Sequence, residues 1–239
     1  MSTYQSNKNG IMPKIRSKSR QKKIEHNMEN RPDFSDYLIH FTKGIKPCVD
    51  KGNPATTFAK GKSAQERLFS ILKQRTIKAS VLPWVKKEAV CFTECVWGSL
   101  LSHAQKYSPY GIGFTKKYIF NNGGNPIFYV RPHLYESQQW DDNVHIFTSP
   151  FLPDYSDEKM RSTPHAKRVD YTHEREWRLS HELHFNYCDI AFIILKSHKD
   201  LEKLPQTLIK KIGEGKFIFM DNYKKVEEIW PLHKIETSN

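Results

Sequence analysis

The chain has 239 residues, a mean hydropathy of -0.69 and 13% aromatic residues, which amounts to one domain or a domain with a tail. No run of about 18 apolar residues occurs, which excludes an apolar membrane-spanning helix. Thirty-eight lysines and arginines against 26 acids leave a net charge of +12, so polyanions are the expected partners.

Residues 1–33 are polar and basic, and the stretch 1–31 alone carries half of the net charge. With so little apolar material it cannot contribute a core, and it reads as a disordered or weakly helical tail. Residues 34–239 then form a single domain. Residues 37–41 are a short β-type apolar run. Ser63-Ala-Gln-Glu66 has the form of a capping box, and Leu68, Phe69, Ile71 and Leu72 continue it at helical spacing to about residue 74.

Residues 76–82 and 89–93 read as strands and 97–104 as a short helix. Strands are expected at 110–114 and 126–130, with the Asn-Asn-Gly-Gly-Asn turn at 121–125 between them. Residues 131–165 read as a long loop with one helical turn. A strand is expected within 171–180, a buried strand at 189–195, an amphipathic stretch broken by Pro205 at 197–212, a strand at 216–220 and a helix at 222–230. Strands outnumber helices without regular alternation, so the expected class is α+β.

The sharpest local pattern is Glu174-Arg-Glu-Trp-Arg178. On a strand, Glu174, Glu176 and Arg178 share one face, and two carboxylates about 7 Å apart suit acid–base or cation-stabilising work. A salt-bridged edge strand is the alternative. His40 and Thr42 fall on one face at the end of the first strand, where they suit ribose hydroxyls or serve the fold alone. Phe92, Thr93 and Glu94 offer a stacking ring and hydrogen-bonding groups, or simply end an apolar strand. The four cysteines, at 48, 91, 95 and 188, complete no zinc pattern, and no metal is expected. His181-Glu-Leu-His184 is one residue short of the zinc-protease helix motif, and Gly111 and Gly113 lack the third glycine of a dinucleotide fingerprint. Unpaired thiols and the lack of an apolar leader suit a cytoplasmic chain.

Taken in order, Tyr37-Leu-Ile-His-Phe-Thr42, Leu68–Leu72, Ala89-Val-Cys-Phe-Thr-Glu94, Tyr110-Gly-Ile-Gly-Phe114, Tyr129 and Glu174-Arg-Glu-Trp-Arg178 resemble the AbiGi-like abortive-infection proteins. Through them the chain resembles the NAD-dependent ADP-ribosyltransferases, including the DarT-like toxins that modify nucleic acid. The resemblance spans roughly residues 36–230. It implies an ADP-ribosyltransferase-like split β-sandwich with flanking helices and an NAD cleft. NAD would be the co-substrate, with His40 and Thr42 on its hydroxyls. Phe92 or a tyrosine would stack on nicotinamide, Thr93 would hydrogen-bond it, and Tyr110 competes with Tyr129 for the tyrosine role. Glu176 would be the catalytic carboxylate and Glu174 its partner. It further implies a toxin that modifies RNA or DNA, RNA favoured because of the basic charge, with an antitoxin and a chaperone as partners and no membrane. A non-catalytic nucleic-acid-binding module and a transferase acting on protein are the alternatives.

Overall fold

The computed structural model describes residues 34–44, 62–94, 100–153 and 169–229. The chain divides after Phe34, and every described element lies in the unit beginning at Ser35. The basic segment 1–33 and the cysteines at 48 and 95 lie outside the described residues.

The principal sheet is assembled from β1 (Tyr37–Phe41), β3 (Ser80–Val81), β4 (Glu88–Thr93), β5 (Gly111–Thr115), β6 (Asn125–Pro126), β9 (Glu176–Leu179), β11 (Ile190–Leu195) and β12 (Phe217–Phe219). Its order is β12-β11-β5-β1-β4-β9-β6, with β3 paired to β4. Every pairing is antiparallel except β11 with β12. Two further pairs stand apart: β2 (Thr76–Ile77) with β10 (Leu183–His184), and β7 (Phe128–Val130) with β8 (Thr148–Pro150).

Strand alternation sends Leu38, Phe92, Ile112, Phe114, Leu179 and Ile193 into the larger core. The helix Ala64–Gln74 closes that core with Leu68 and Leu72. Its first turn is held by the expected capping box: Ser63 Oγ accepts from Glu66 N–H at 3.2 Å, and the Glu66 carboxylate accepts from Ser63 N–H at 2.7 Å. The helix Gln206–Ile212 adds Ile209 and Ile212. The opposite face carries two smaller clusters. One joins Ile39 and Ile194 to Leu100 and Ala104 of the helix Leu100–Lys106 and to Met220 and Tyr223 of the helix Met220–Ile229. The other joins Leu82, Val85, Ala89 and Ile146.

Several expected elements take a different form. The stretch 76–82 divides into β2 and β3, which pair with different partners. The strand expected at 126–130 is cut at Ile127, so that β6 serves the main sheet and β7 a separate one. The loop expected at 131–165 contains the helices Pro132–Glu136 and Asp142–His145 and then β8. Local sequence underdetermined these because each piece is too short to show a period and is held by pairing with a distant segment.

Gly113 lies under the ring of Phe192, whose atoms come within 2.5–2.8 Å of where a Cβ would stand. Gly124 is tighter against backbone: a Cβ there would lie 2.8 Å from the Ile119 carbonyl oxygen, the same oxygen that accepts the Gly124 N–H at 2.9 Å. Gly124→Ala should therefore open the turn after the helix Lys116–Asn121 and cost about 1–3 kcal/mol, read as a lower urea midpoint at unchanged slope.

Candidate functional site

β1 and β4 share one ladder position, Ile39 opposite Thr93, whereas β1 and β5 pair along the whole of β1. Next to that position the His40 imidazole takes the place of the ladder: Nδ1 lies 2.9 Å from the Cys91 carbonyl oxygen. A carbonyl can only accept, so Nδ1 carries the proton. Burial holds the His40 pKa down at about 4, with the Cys91 bond opposing and Arg67 adding to the depression. The ring is neutral at physiological pH.

On the face opposite the large core, the two small clusters leave the ends of β1, β4 and β9 uncovered. A cavity of about 640 Å³ occupies this place, within the range of small-molecule sites, about 300–1,000 Å³. Its floor includes Cys91, Thr93, Glu176 and Arg178, side chains that alternation places together because Cys91 faces Arg178 and Thr93 faces Glu176 in the ladder. Lys43, Trp84, Lys106, Tyr107 and Tyr171 stand around it.

Glu176 is held by Arg178, with Nε to Oε1 at 2.7 Å and Nη2 to Oε2 at 3.2 Å. The remaining Arg178 nitrogen donates to the carbonyls of Ile146 and Thr148 at 2.8 and 2.7 Å. Arg178 is 4% exposed. Cys91 sits against this pair, and burial first, then the Glu176 carboxylate, pushes its thiol well above its ordinary value.

Glu174 reaches the same cavity by another route. The expected single strand face does not exist: Glu174 ends the 3-10 turn Thr172–Glu174, Arg175 is left-handed at φ 44°, and β9 begins only at Glu176. The left-handed residue, a conformation that costs about 1–2 kcal/mol for a side chain with a Cβ, swings Glu174 off the strand line. The turn is tied down at both ends, by Arg175 N–H to Thr172 O at 3.2 Å and Glu94 N–H to Arg175 O at 3.3 Å. The buried Glu94 carboxylate pairs with Lys116 at 2.8 Å and lies 3.7 Å from Arg175. Glu174, also buried, accepts from Lys106 Nζ at 2.5 Å and from the Tyr107 hydroxyl. Burial and the Glu174 bond together raise the Tyr107 pKa. Phe41, His103 and Tyr107 are stacked within 12° of parallel, which fixes the Tyr107 ring at the cavity wall.

Of the residues singled out in the sequence, His40, Phe92, Thr93, Glu174 and Glu176 line this one cavity. Thr42 and Tyr110 do not. Thr42 is buried and its hydroxyl lies 2.8 Å from the Ala64 carbonyl, joining the end of β1 to the start of a helix. Tyr110 donates to Asp200 at 3.2 Å, and burial first, then Asp200, pushes its pKa up to about 12. The ring of Phe92 is 1% exposed and packs edge-on against Phe114 and His40, so it offers no open face, whereas the rings of Tyr107, Tyr171 and Trp84 on the cavity wall are more open. Tyr129 donates to the Tyr171 carbonyl at 2.8 Å. Among the described residues no cluster of His, Cys, Asp and Glu could hold a metal ion, and no helix is long and apolar enough to cross a membrane. Lys43, Lys106 and Tyr107 carried no local signal, since Tyr107 meets Glu174 only through the fold. Arg178 was legible as the last residue of the E-x-E-W-R motif.

A family model described as "Putative abortive phage resistance protein AbiGi, antitoxin" matches residues 64–203, more than half of the chain. The chain belongs to this AbiGi family. No curated protein and no solved structure matches it. The AbiGi span includes the helix after Ser63, the floor of the cavity from β4 and β9, Lys106, Tyr107 and the Glu174 turn, and it places the chain among abortive phage resistance proteins. His40 and β1 precede it.

Two outcomes follow from this geometry. Arg178→Met strands a carboxylate and removes the donors to two carbonyls, and should cost about 3–5 kcal/mol, measured by urea unfolding. For His40 the folded pKa of about 4 lies below the unfolded 6.5, so the unfolded chain binds the extra proton first. His40's contribution is complete above pH 6.5 and is lost as the pH falls from 6.5 toward 4. In His40→Gln the part of the acid sensitivity that belongs to this window should disappear, seen as a flatter plot of urea midpoint against pH than that of the unsubstituted protein.

Proposed function

We propose that this chain is an NAD-dependent mono-ADP-ribosyltransferase, the toxic component of an abortive phage resistance system, and that its acceptor is nucleic acid, RNA in the first place. The observation that carries this reading is the convergence of Glu174 and Glu176, from two different backbone elements, on one cavity with aromatic walls and the cations Lys43 and Lys106. Such a lining matches a ligand with flat rings, a doubly charged pyrophosphate and a ribose between them.

Cleavage of the nicotinamide–ribose bond sends the bonding electron pair to the pyridine nitrogen, which leaves neutral, and positive charge develops on the ribose. A carboxylate held in place before the reaction stabilises that charge more in the transition state than in the ground state. Glu176 is suited to this because both of its oxygens are fixed by Arg178, so no reorganisation accompanies the charge development. The acceptor nitrogen or oxygen then bonds to the ribose carbon and gives its proton to a neighbouring carboxylate or to water. Glu174, already engaged by Lys106 and the Tyr107 hydroxyl, orients Tyr107 as a wall for the leaving ring. His40, neutral and facing the same cavity, contributes positioning.

The word antitoxin in the family's description favours a second reading, in which the chain neutralises a toxic partner and the cavity binds a nucleotide without consuming it. Expression in a phage-sensitive host separates the two: growth arrest by the chain alone supports the transferase toxin, and rescue from a co-expressed partner supports the antitoxin. On the first reading Glu176→Gln should lower nicotinamide release from NAD by about 10²–10³-fold, with far-UV circular dichroism confirming that the variant is folded. More than a tenth of the original turnover in a folded variant would be incompatible with it.

A further inference from the structure

His40 and Cys91, the two residues that meet where β1 and β4 part, line not only the large cavity but also a second one of about 130 Å³. The two linings differ in kind. The second contains Lys62, Arg67 and Lys78 together with the hydroxyl side chains Ser70, Thr76 and Ser80, and no carboxylate lines it among the described residues. Lys78 already pairs with Glu182 at 2.5 Å. Arg67 donates to the Lys43 carbonyl at 2.5 Å, and neither it nor Lys62 has a carboxylate within ion-pair distance among the described residues. Arg67 belongs to the helix Ala64–Gln74, which is anchored in the core by the buried Leu68 and Leu72.

The Thr76 hydroxyl is engaged by the Gln74 carbonyl and His184, which leaves Lys62 and Arg67 beside the hydroxyls of Ser70 and Ser80. Cations with hydroxyl donors on a small space select a compact anion. At about 130 Å³ the space is well under the roughly 300 Å³ at which small-molecule sites begin. It suits one phosphate group and excludes a nucleoside. The segment that lines it is strongly basic: residues 62–78 hold Lys62, Arg67, Lys73, Arg75 and Lys78 against Glu66 alone, and Lys73 and Arg75 are exposed. An excess of cations in the segment that lines a one-phosphate pocket fits a chain of phosphates better than a single small anion.

We propose that the second cavity seats a backbone phosphate of a single-stranded polynucleotide whose reacting nucleotide enters the large cavity. Resting on the transferase reading, the inference deepens it by assigning an acceptor subsite. Lys62 and Arg67 neutralise the seated phosphate, and the exposed Lys73 and Arg75 of the same segment add to the positive field that draws the strand in. Phosphate contacts of this kind position the chain without choosing its sequence, and a base has to leave any duplex to be modified, which suits a single strand.

The test is a fluorescence-anisotropy titration of the full-length protein against a mixed-sequence single-stranded RNA, between about 50 and 200 mM salt. Every cation withdrawn from a phosphate should reduce the slope of log K against log salt by about 0.7. Lys62→Gln should therefore lower the slope by about 0.7, and the Lys62→Gln/Arg67→Gln pair by about twice that, with weaker binding at low salt. Lys210→Gln/Lys211→Gln, which removes two charges from the helix Gln206–Ile212, should keep the original slope. The proposal is overturned if the unsubstituted protein does not bind the RNA, if the Lys62 and Arg67 variants keep its slope, or if the Lys210 and Lys211 variant falls by as much. Calorimetry with NAD separates the other source of phosphate: a fall in NAD affinity in the Lys62 and Arg67 variants with an unchanged RNA slope would assign the cavity to the dinucleotide and overturn the proposal. Absence of nicotinamide release by the unsubstituted protein, with the slope change intact, would sink the transferase reading and support the phosphate subsite.

Discussion

The interaction on which the site depends is the buried guanidinium of Arg178. Its donors satisfy both oxygens of Glu176 and the carbonyls of Ile146 and Thr148, so one side chain joins β9 of the main sheet to the segment that leads into β8. A charge at this depth is tolerable only when every donor has an acceptor. Two of those acceptors are backbone carbonyls that nothing in the E-x-E-W-R sequence announces. The pair also sets the chemistry of the cavity floor: it fixes the Glu176 carboxylate, which adds to burial in pushing the Cys91 thiol above its ordinary value while Arg178 opposes the shift.

Around this pair the sheet gives up regularity in two places, and both face the cavity. β1 and β4 part beside a single ladder position, where His40 bonds the Cys91 carbonyl in place of a backbone N–H. Arg175 adopts a left-handed conformation between the two glutamates. Deviations of this kind gather at functional sites because the surrounding structure must over-determine them. Here the surroundings are the backbone bonds at Thr172 and Glu94 and the Glu94 ion pairs. Membership of the AbiGi family connects the chain to abortive phage resistance. The cavity lies largely within the matched span, so the part of the chain that defines the family is also the part that carries the candidate chemistry.

Sequence patterns by themselves determined the features that depend on near neighbours. The capping box at Ser63, the helix it opens, the buried strand at β11 and the glycine-rich turn ending at Asn125 are all encoded within a few residues, because capping, helical spacing and turn chemistry act locally. The candidate carboxylates were legible for the same reason: Glu174 and Glu176 stand out as a pair wherever the backbone takes them. Only the tertiary structure decided what each polar side chain is for. Thr42 and His40 carry the same alternation signal, yet Thr42 meets the Ala64 carbonyl and His40 faces the cavity. Tyr110 is drawn to Asp200, while Tyr107, which no local pattern marks, reaches Glu174 across 67 positions. Alternation fixes the side of a strand on which a side chain emerges, but its partner is set by which distant element packs there, and that is a property of the whole chain.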